Sequence, residues 1–188
     1  LLWFGWFGFN AGSALAANGL ATSAFVVTNT SAAAGALSWI FVEAWHRGKP
    51  TALGAASGAV AGLVAITPAS GFVGPVAAIA IGVVVSVLCY GAIMMKGKLG
   101  YDDSLDVFGV HGVGGAWGAL ATGLFATVLI NPAGANGLFH GNARLVLVQL
   151  VAIASVAAYS FIATWLLLKV TNVFSDLRVS HEEEESGL

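Results

Sequence analysis

Few side chains in this sequence could do chemistry near neutral pH, and His111 stands apart from the rest. It closes the run Asp106-Val107-Phe108-Gly109-Val110-His111 and is followed by Gly112. If the helix opens at the aspartates just upstream, the nine residues from Asp102 place the ring roughly 13 Å along its axis. That is close to the middle of an apolar segment, where an ionisable group usually lines a pathway or relays protons. The alternative is a neutral ring whose nitrogens bond neighbouring helices. A neutral imidazole offers one donor and one acceptor, which suits a small neutral hydrogen-bonding guest better than a cation. Asp102, Asp103 and Asp106 themselves suit a helix N-terminus, where carboxylates cap free N–H groups and meet the positive end of the dipole. Asp106 could in addition shape a vestibule.

A second constellation lies at the start of the chain, in Trp6-Phe7-Gly8-Phe9-Asn10-Ala11-Gly12-Ser13. Trp6, Phe9 and Ser13 fall at i, i+3 and i+7 and share one helical face, which Leu2 continues. Aromatic faces attract cations, and a hydroxyl offers a lone pair to an N–H donor. An interfacial aromatic belt with ordinary packing would give the same spacing. Gly5, Gly8 and Gly12 form an adjacent stripe where another helix could approach. Glu43 and Arg47 read as an i, i+4 ion pair, and Thr28, Asn29, Thr30 and Ser31 as partners for bonds between helices. His46, His140 and His181 lie in or beside loops without metal-ligand spacing.

The elements that position these residues follow from composition. The 188 residues are 58% hydrophobic and 9% charged, whereas a soluble domain carries about a quarter charged residues. A net charge of −2 excludes a nucleic-acid binder working through a basic field, and the single cysteine, Cys89, excludes a disulfide framework. We therefore expect an all-α integral membrane protein with about six transmembrane helices, over residues 1–17, 20–45, 51–67, 73–95, 104–130 and 143–172, and an aqueous tail over 173–188. The chain opens at Leu1 inside an apolar run with no basic stretch before it, which is not a signal peptide; we expect a helix cut at its start and a chain that is a piece of something longer. Arg47, Lys49, Lys96, Lys98, Lys169 and Arg178 fall in or near alternate connections, with only Arg144 opposite. This bias places the tail in the cytoplasm. Gly54, Gly58 and Gly62, like Gly114 and Gly118, recur at every fourth position, the spacing that lets helices pack closely in lipid.

Three stretches carry a family resemblance: Leu1-Leu2-Trp3-Phe4-Gly5-Trp6-Phe7-Gly8-Phe9-Asn10-Ala11-Gly12-Ser13; Gly58-Ala59-Val60-Ala61-Gly62-Leu63 leading to Ile66-Thr67-Pro68-Ala69; and Asp106 to Gly112. Together they closely resemble the Amt/Mep/Rh ammonium transporters, in particular the prokaryotic Amt branch. The likeness runs along the whole chain in the family's order. It implies a homotrimer of eleven-helix subunits built on an inverted repeat, of which this chain is similar to the sixth to eleventh helices.

The same resemblance implies roles. Trp6 and Ser13 resemble residues that recruit ammonium at an outer vestibule, Phe9 resembles a gating phenyl, His111 resembles one of two pore histidines, and Leu2 and Val107 resemble apolar lumen walls. The second histidine, the other gating ring and a buried aspartate are expected outside this chain. The expected activity is transport of ammonium, or of ammonia with or without the proton, across the cytoplasmic membrane, with methylammonium as an analogue. No enzymatic activity and no cofactor are implied. A PII-type signal protein is implied as a cytoplasmic partner. An Amt-like sensor is the competing reading, disfavoured by a tail that stops soon after Glu185; a water or polyol channel lacks its paired Asn-Pro-Ala motifs here.

Overall fold

The computed structural model describes residues 1–187 and is helical, with no strand among them. Its helices are α1 (Leu2–Gly12), α2 (Gly19–Arg47), α3 (Ala52–Ile66), α4 (Pro75–Leu99), α5 (Val113–Phe125), α6 (Arg144–Phe174) and α7 (His181–Ser186). A π-helical turn, Phe108–Gly112, runs directly into α5, and a single 3-10 turn spans Leu138–His140. Helices α2, α4 and α6, of 29, 25 and 31 residues, are long and apolar enough to cross a membrane. Helix α3 is apolar throughout but has 15 residues.

Contacts divide the chain into two compact units, residues 1–150 and residues 151 onward. In the first, α2 is the central element, because its small residues let α3 and α4 come close on two sides. A methyl group on Gly62 would stand 2.3 Å from the carbonyl oxygen of Ser31, and one on Gly82 would meet the same oxygen at 2.3 Å. The hydroxyls between them donate across the helices: Ser31 to the Gly62 carbonyl at 2.9 Å, Ser86 to the Gly35 carbonyl at 2.7 Å and Ser38 to the Val83 carbonyl at 2.9 Å. In lipid such packing and bonding substitutes for the hydrophobic drive, which is absent between apolar helices. Gly118 of α5 meets the Ala65 carbonyl of α3 in the same way, at 2.2 Å from an added methyl.

Helix ends carry the chemistry that stops them. Asn18 caps α2 through the Ala21 N–H, Thr51 caps α3 through the Gly54 N–H, and Pro75 opens α4. Glu43 is buried and accepts from the Thr51 N–H at 2.9 Å and from its hydroxyl at 3.1 Å, which ties the end of α2 to the start of α3. Its pairing with Arg47 is longer, 4.0 Å, so the threonine is the principal partner.

Three helices differ from the sequence expectation by four residues or more at one end; α4 continues to Leu99 rather than residue 95. The first ends at Gly12 rather than residue 17, with Leu15 at φ 53° in the turn that follows. The fifth starts at Val107 rather than Ser104 and ends at Phe125 rather than residue 130. After it, Ala126 turns extended, and the next segment bonds back onto the 67–74 turn through Thr127 N–H to the Phe72 carbonyl at 2.9 Å. Gly5, Gly8 and Gly12 have nothing within 4 Å of an added methyl, so no described helix occupies that stripe.

In the second unit, the remainder of α6 is apolar on all sides, and Lys169 lies 5.8 Å from the Trp165 ring centre. The short α7 opens with a capping box: Ser180 receives the Glu183 N–H, and the Glu183 carboxylate receives the Ser180 N–H and hydroxyl. The spacing Ser180-x-x-Glu183 is the sequence signal for it.

Candidate functional site

Trp6, Phe9 and Ser13 do come together on α1. The rings of Trp6 and Phe9 meet edge to face with centres 6.0 Å apart, a favoured aromatic geometry. Ser13 follows the last turn and donates its hydroxyl proton to the Phe9 carbonyl at 2.6 Å, so its oxygen retains the capacity to accept. Trp6 is also tethered from outside α1. Its indole N–H donates to the Thr67 hydroxyl at 2.8 Å, and that hydroxyl donates in turn to the Leu63 carbonyl of α3 at 2.8 Å. Thr67 is a site contact that helix spacing alone does not reveal, although it stands within the Ile66-Thr67-Pro68 stretch.

Beside this group, an open apolar hollow of about 500 Å³ is lined by Leu1, Leu2, Gly5, Trp6 and Phe9. Leu2 and Phe9 are both more than half exposed along it. One turn on from Trp6, α1 is anchored by Asn10, which is buried and donates to the Thr28 hydroxyl of α2 at 3.0 Å. The polar groups of α1 are thus sorted, with Asn10 holding the helix and the hollow left apolar.

His111 sits inside the π turn, a local irregularity common at functional sites. Because the backbone from Tyr101 to Asp106 is not helical, His111 stands only four residues on from Val107, where the helix begins. The nine-residue reckoning from Asp102 therefore overstates its distance along the helix, which is roughly 6 Å. His111 is exposed beside Val107, which is half exposed, and among the described residues its ring has no hydrogen-bond partner.

The aspartates upstream have separate tasks. Asp103 caps the helix, accepting the N–H groups of Val107 and Phe108 at 2.9 Å each. Asp106 instead adopts φ 56° and pairs with Lys96 of α4, whose ammonium also donates to the Asp103 carbonyl at 2.7 Å. Sequence spacing anticipates the capping but neither the lysine nor the left-handed residue.

An apolar helical bundle with three spans of membrane-crossing length is that of a multi-pass membrane protein. The Ammonium Transporter Family profile matches residues 1–188, and the chain belongs to that family. It is 56% identical to the ammonium transporter of Bacillus subtilis over 189 residues, covering 100% of this chain and 47% of that protein. It is 51% identical to Amt1 of Archaeoglobus fulgidus over 188 residues, covering 100% of this chain and 47% of that protein. Among solved structures, Saccharomyces cerevisiae Mep2 superposes with a TM-score of 0.91 at 39% identity over 96% of this chain and 42% of that one. A structure described as a sensor Amt protein superposes at 0.87 with 33% identity, over 99% of this chain and 45% of that one. The chain spans about half the length of the curated relatives it matches.

Proposed function

We propose that the protein takes up ammonium across the cytoplasmic membrane, with its C-terminus inside. Trp6 and Ser13 concentrate the cation at an outer vestibule, the first through its ring face and the second through its hydroxyl oxygen. Phe9 gates the entrance. Beyond it the path is walled by Leu2 and Val107, where a bare ion would lose its water without replacement, at a cost of several kcal/mol. Releasing a proton at the mouth lets neutral ammonia enter, and His111 then offers it a hydrogen bond. Asp102, Asp103 and Asp106 border the inner end. By family likeness the assembly is a homotrimer, each subunit with its own pore, and a PII-type protein is the expected cytoplasmic partner.

The observation that carries this reading is the histidine ring, without a hydrogen bond among the described residues and one turn on from Val107 on an otherwise apolar helix. Family membership supports the substrate. The test is uptake of labelled methylammonium by proteoliposomes containing the full-length gene product. Saturable uptake, competed by ammonium, is expected; uptake no faster than in empty liposomes would remove the transport reading. A sensor is the second reading, favoured by the likeness to the sensor Amt structure. It predicts saturable binding of methylammonium without uptake in the same vesicles.

A further inference from the structure

We propose that Lys96 is a positioning residue for His111, acting through the register of the π turn. The inference rests on the pore role proposed above for His111. Three residues of α4 grip the helix that carries the histidine. Cys89 faces Gly114, where an added methyl would lie 3.4 Å from its sulfur, and its thiol donates to the Val110 carbonyl at 3.7 Å; Ile93 closes on Gly109, where the methyl would lie 2.9 Å from Cγ1; and Lys96 holds Asp106 and the Asp103 carbonyl.

Along α4 these anchors step by four and three residues, the ordinary spacing of one helical face. Their partners Gly114, Gly109 and Asp106 step by five and three. The longer step is one residue more than an α-helix places on a face, and the π turn of Phe108–Gly112 absorbs it. The Val113 N–H accordingly reaches the Phe108 carbonyl.

The last anchor sets the phase. Asp106 holds a left-handed backbone at φ 56°, uncommon outside glycine. Its carbonyl accepts the Val110 N–H at 2.9 Å, and Asp103 caps the two N–H groups that follow it. One ammonium group therefore clamps both residues that decide where the helix begins. Ile93 at Gly109 and Lys96 at Asp106 together hold the N-terminal end of the five-residue step; without the ammonium that end is held by Ile93 alone, and Val107 to His111 can slip toward α-helical register, turning the imidazole by one residue's rotation, about 100°.

The test uses the full-length gene product in proteoliposomes, with Lys96→Met, Lys96→Arg and each combined with His111→Ala. Lys96→Met is expected to lower the maximal methylammonium rate at least ten-fold with KM within two-fold, and Lys96→Arg to stay within two-fold of wild type. In the His111→Ala background, Lys96→Met should lower the rate less than two-fold further. Peptide-level hydrogen exchange over residues 106–113 should accelerate in Lys96→Met and not in Lys96→Arg. Asp106→Asn, which removes the charge but keeps a residue tolerant of positive φ, carries the same test if Lys96→Met does not assemble. Wild-type exchange in the variant, or an equal rate loss in both backgrounds, would overturn the positioning role while leaving transport intact. An unchanged rate in His111→Ala would instead remove the pore role of His111 and the positioning role with it.

Discussion

Trp6 is held at both ends of its indole, by Phe9 against the ring and by Thr67 at the N–H. Its orientation is thus set by α3 as well as by its own helix. Replacing Thr67 by Val removes both the acceptor for the indole and the hydroxyl's own bond to Leu63, while keeping the side-chain shape. Each such bond contributes on the order of 1 kcal/mol. Thr67→Val should therefore raise the apparent KM for methylammonium several-fold and lower thermal stability modestly, whereas Thr67→Ser should remain near wild type in both; KM from uptake and unfolding in detergent check this. At this scale the α1 face was legible, because i, i+3, i+7 spacing is a property of the helix alone. The tether was not, since it depends on where the end of α3 falls. His111 was legible as the exceptional titratable group but not its distance along the helix, because Asp106 turns left-handed and delays the helix.

Helix packing makes a sharper comparison within α4. Gly82 has the Ser31 carbonyl where a methyl would go, while Gly91 faces open space. Gly82→Ala should cost about 1–3 kcal/mol by forcing two backbones apart. Gly91→Ala should instead gain about 0.5–1 kcal/mol through helix propensity. Thermal midpoints of the two variants in detergent decide it, and equal midpoints would contradict the packing described. The glycine spacing on α3 and α5 was readable in advance because four-residue repeats mark one helical face. The stripe at Gly5, Gly8 and Gly12 has the same spacing and no described partner, so spacing reports which face can be approached, not what approaches it. The π turn had no sequence signal, since it arises from matching two helices to each other. In the tail, the Ser180 hydroxyl, and after it the Ser180 N–H, hold the Glu183 carboxyl below its ordinary value of 4.5. A lowered carboxyl stabilises α7 fully above that value and ceases to do so as pH falls through the lower one. Helicity of the tail, followed by the Cα chemical shifts of Glu182 to Glu184, should be flat from pH 7 to about 5 and fall below about 4.5, with no such step in Ser180→Ala.

At the scale of the whole molecule, the exposed apolar surface and the unbonded histidine belong to one account. Leu2, Phe9 and Val107 are apolar and exposed, and the chain spans about half of its relatives. A path enclosed jointly with the remainder of the full-length protein would give these residues their apolar surroundings and His111 its guest. Fold class was legible from hydropathy and charge scarcity, because lipid permits few architectures for a chain this apolar. The central claim is that His111 lines the route taken by the transported species. Its most direct test is the ammonium-evoked current of full-length protein on a supported membrane, compared with His111→Ala. A saturable current is expected in the wild type, of either the cation or ammonia with a proton moving separately, falling at least ten-fold in the variant with assembly preserved. A saturable current of unchanged size and affinity in His111→Ala would contradict it.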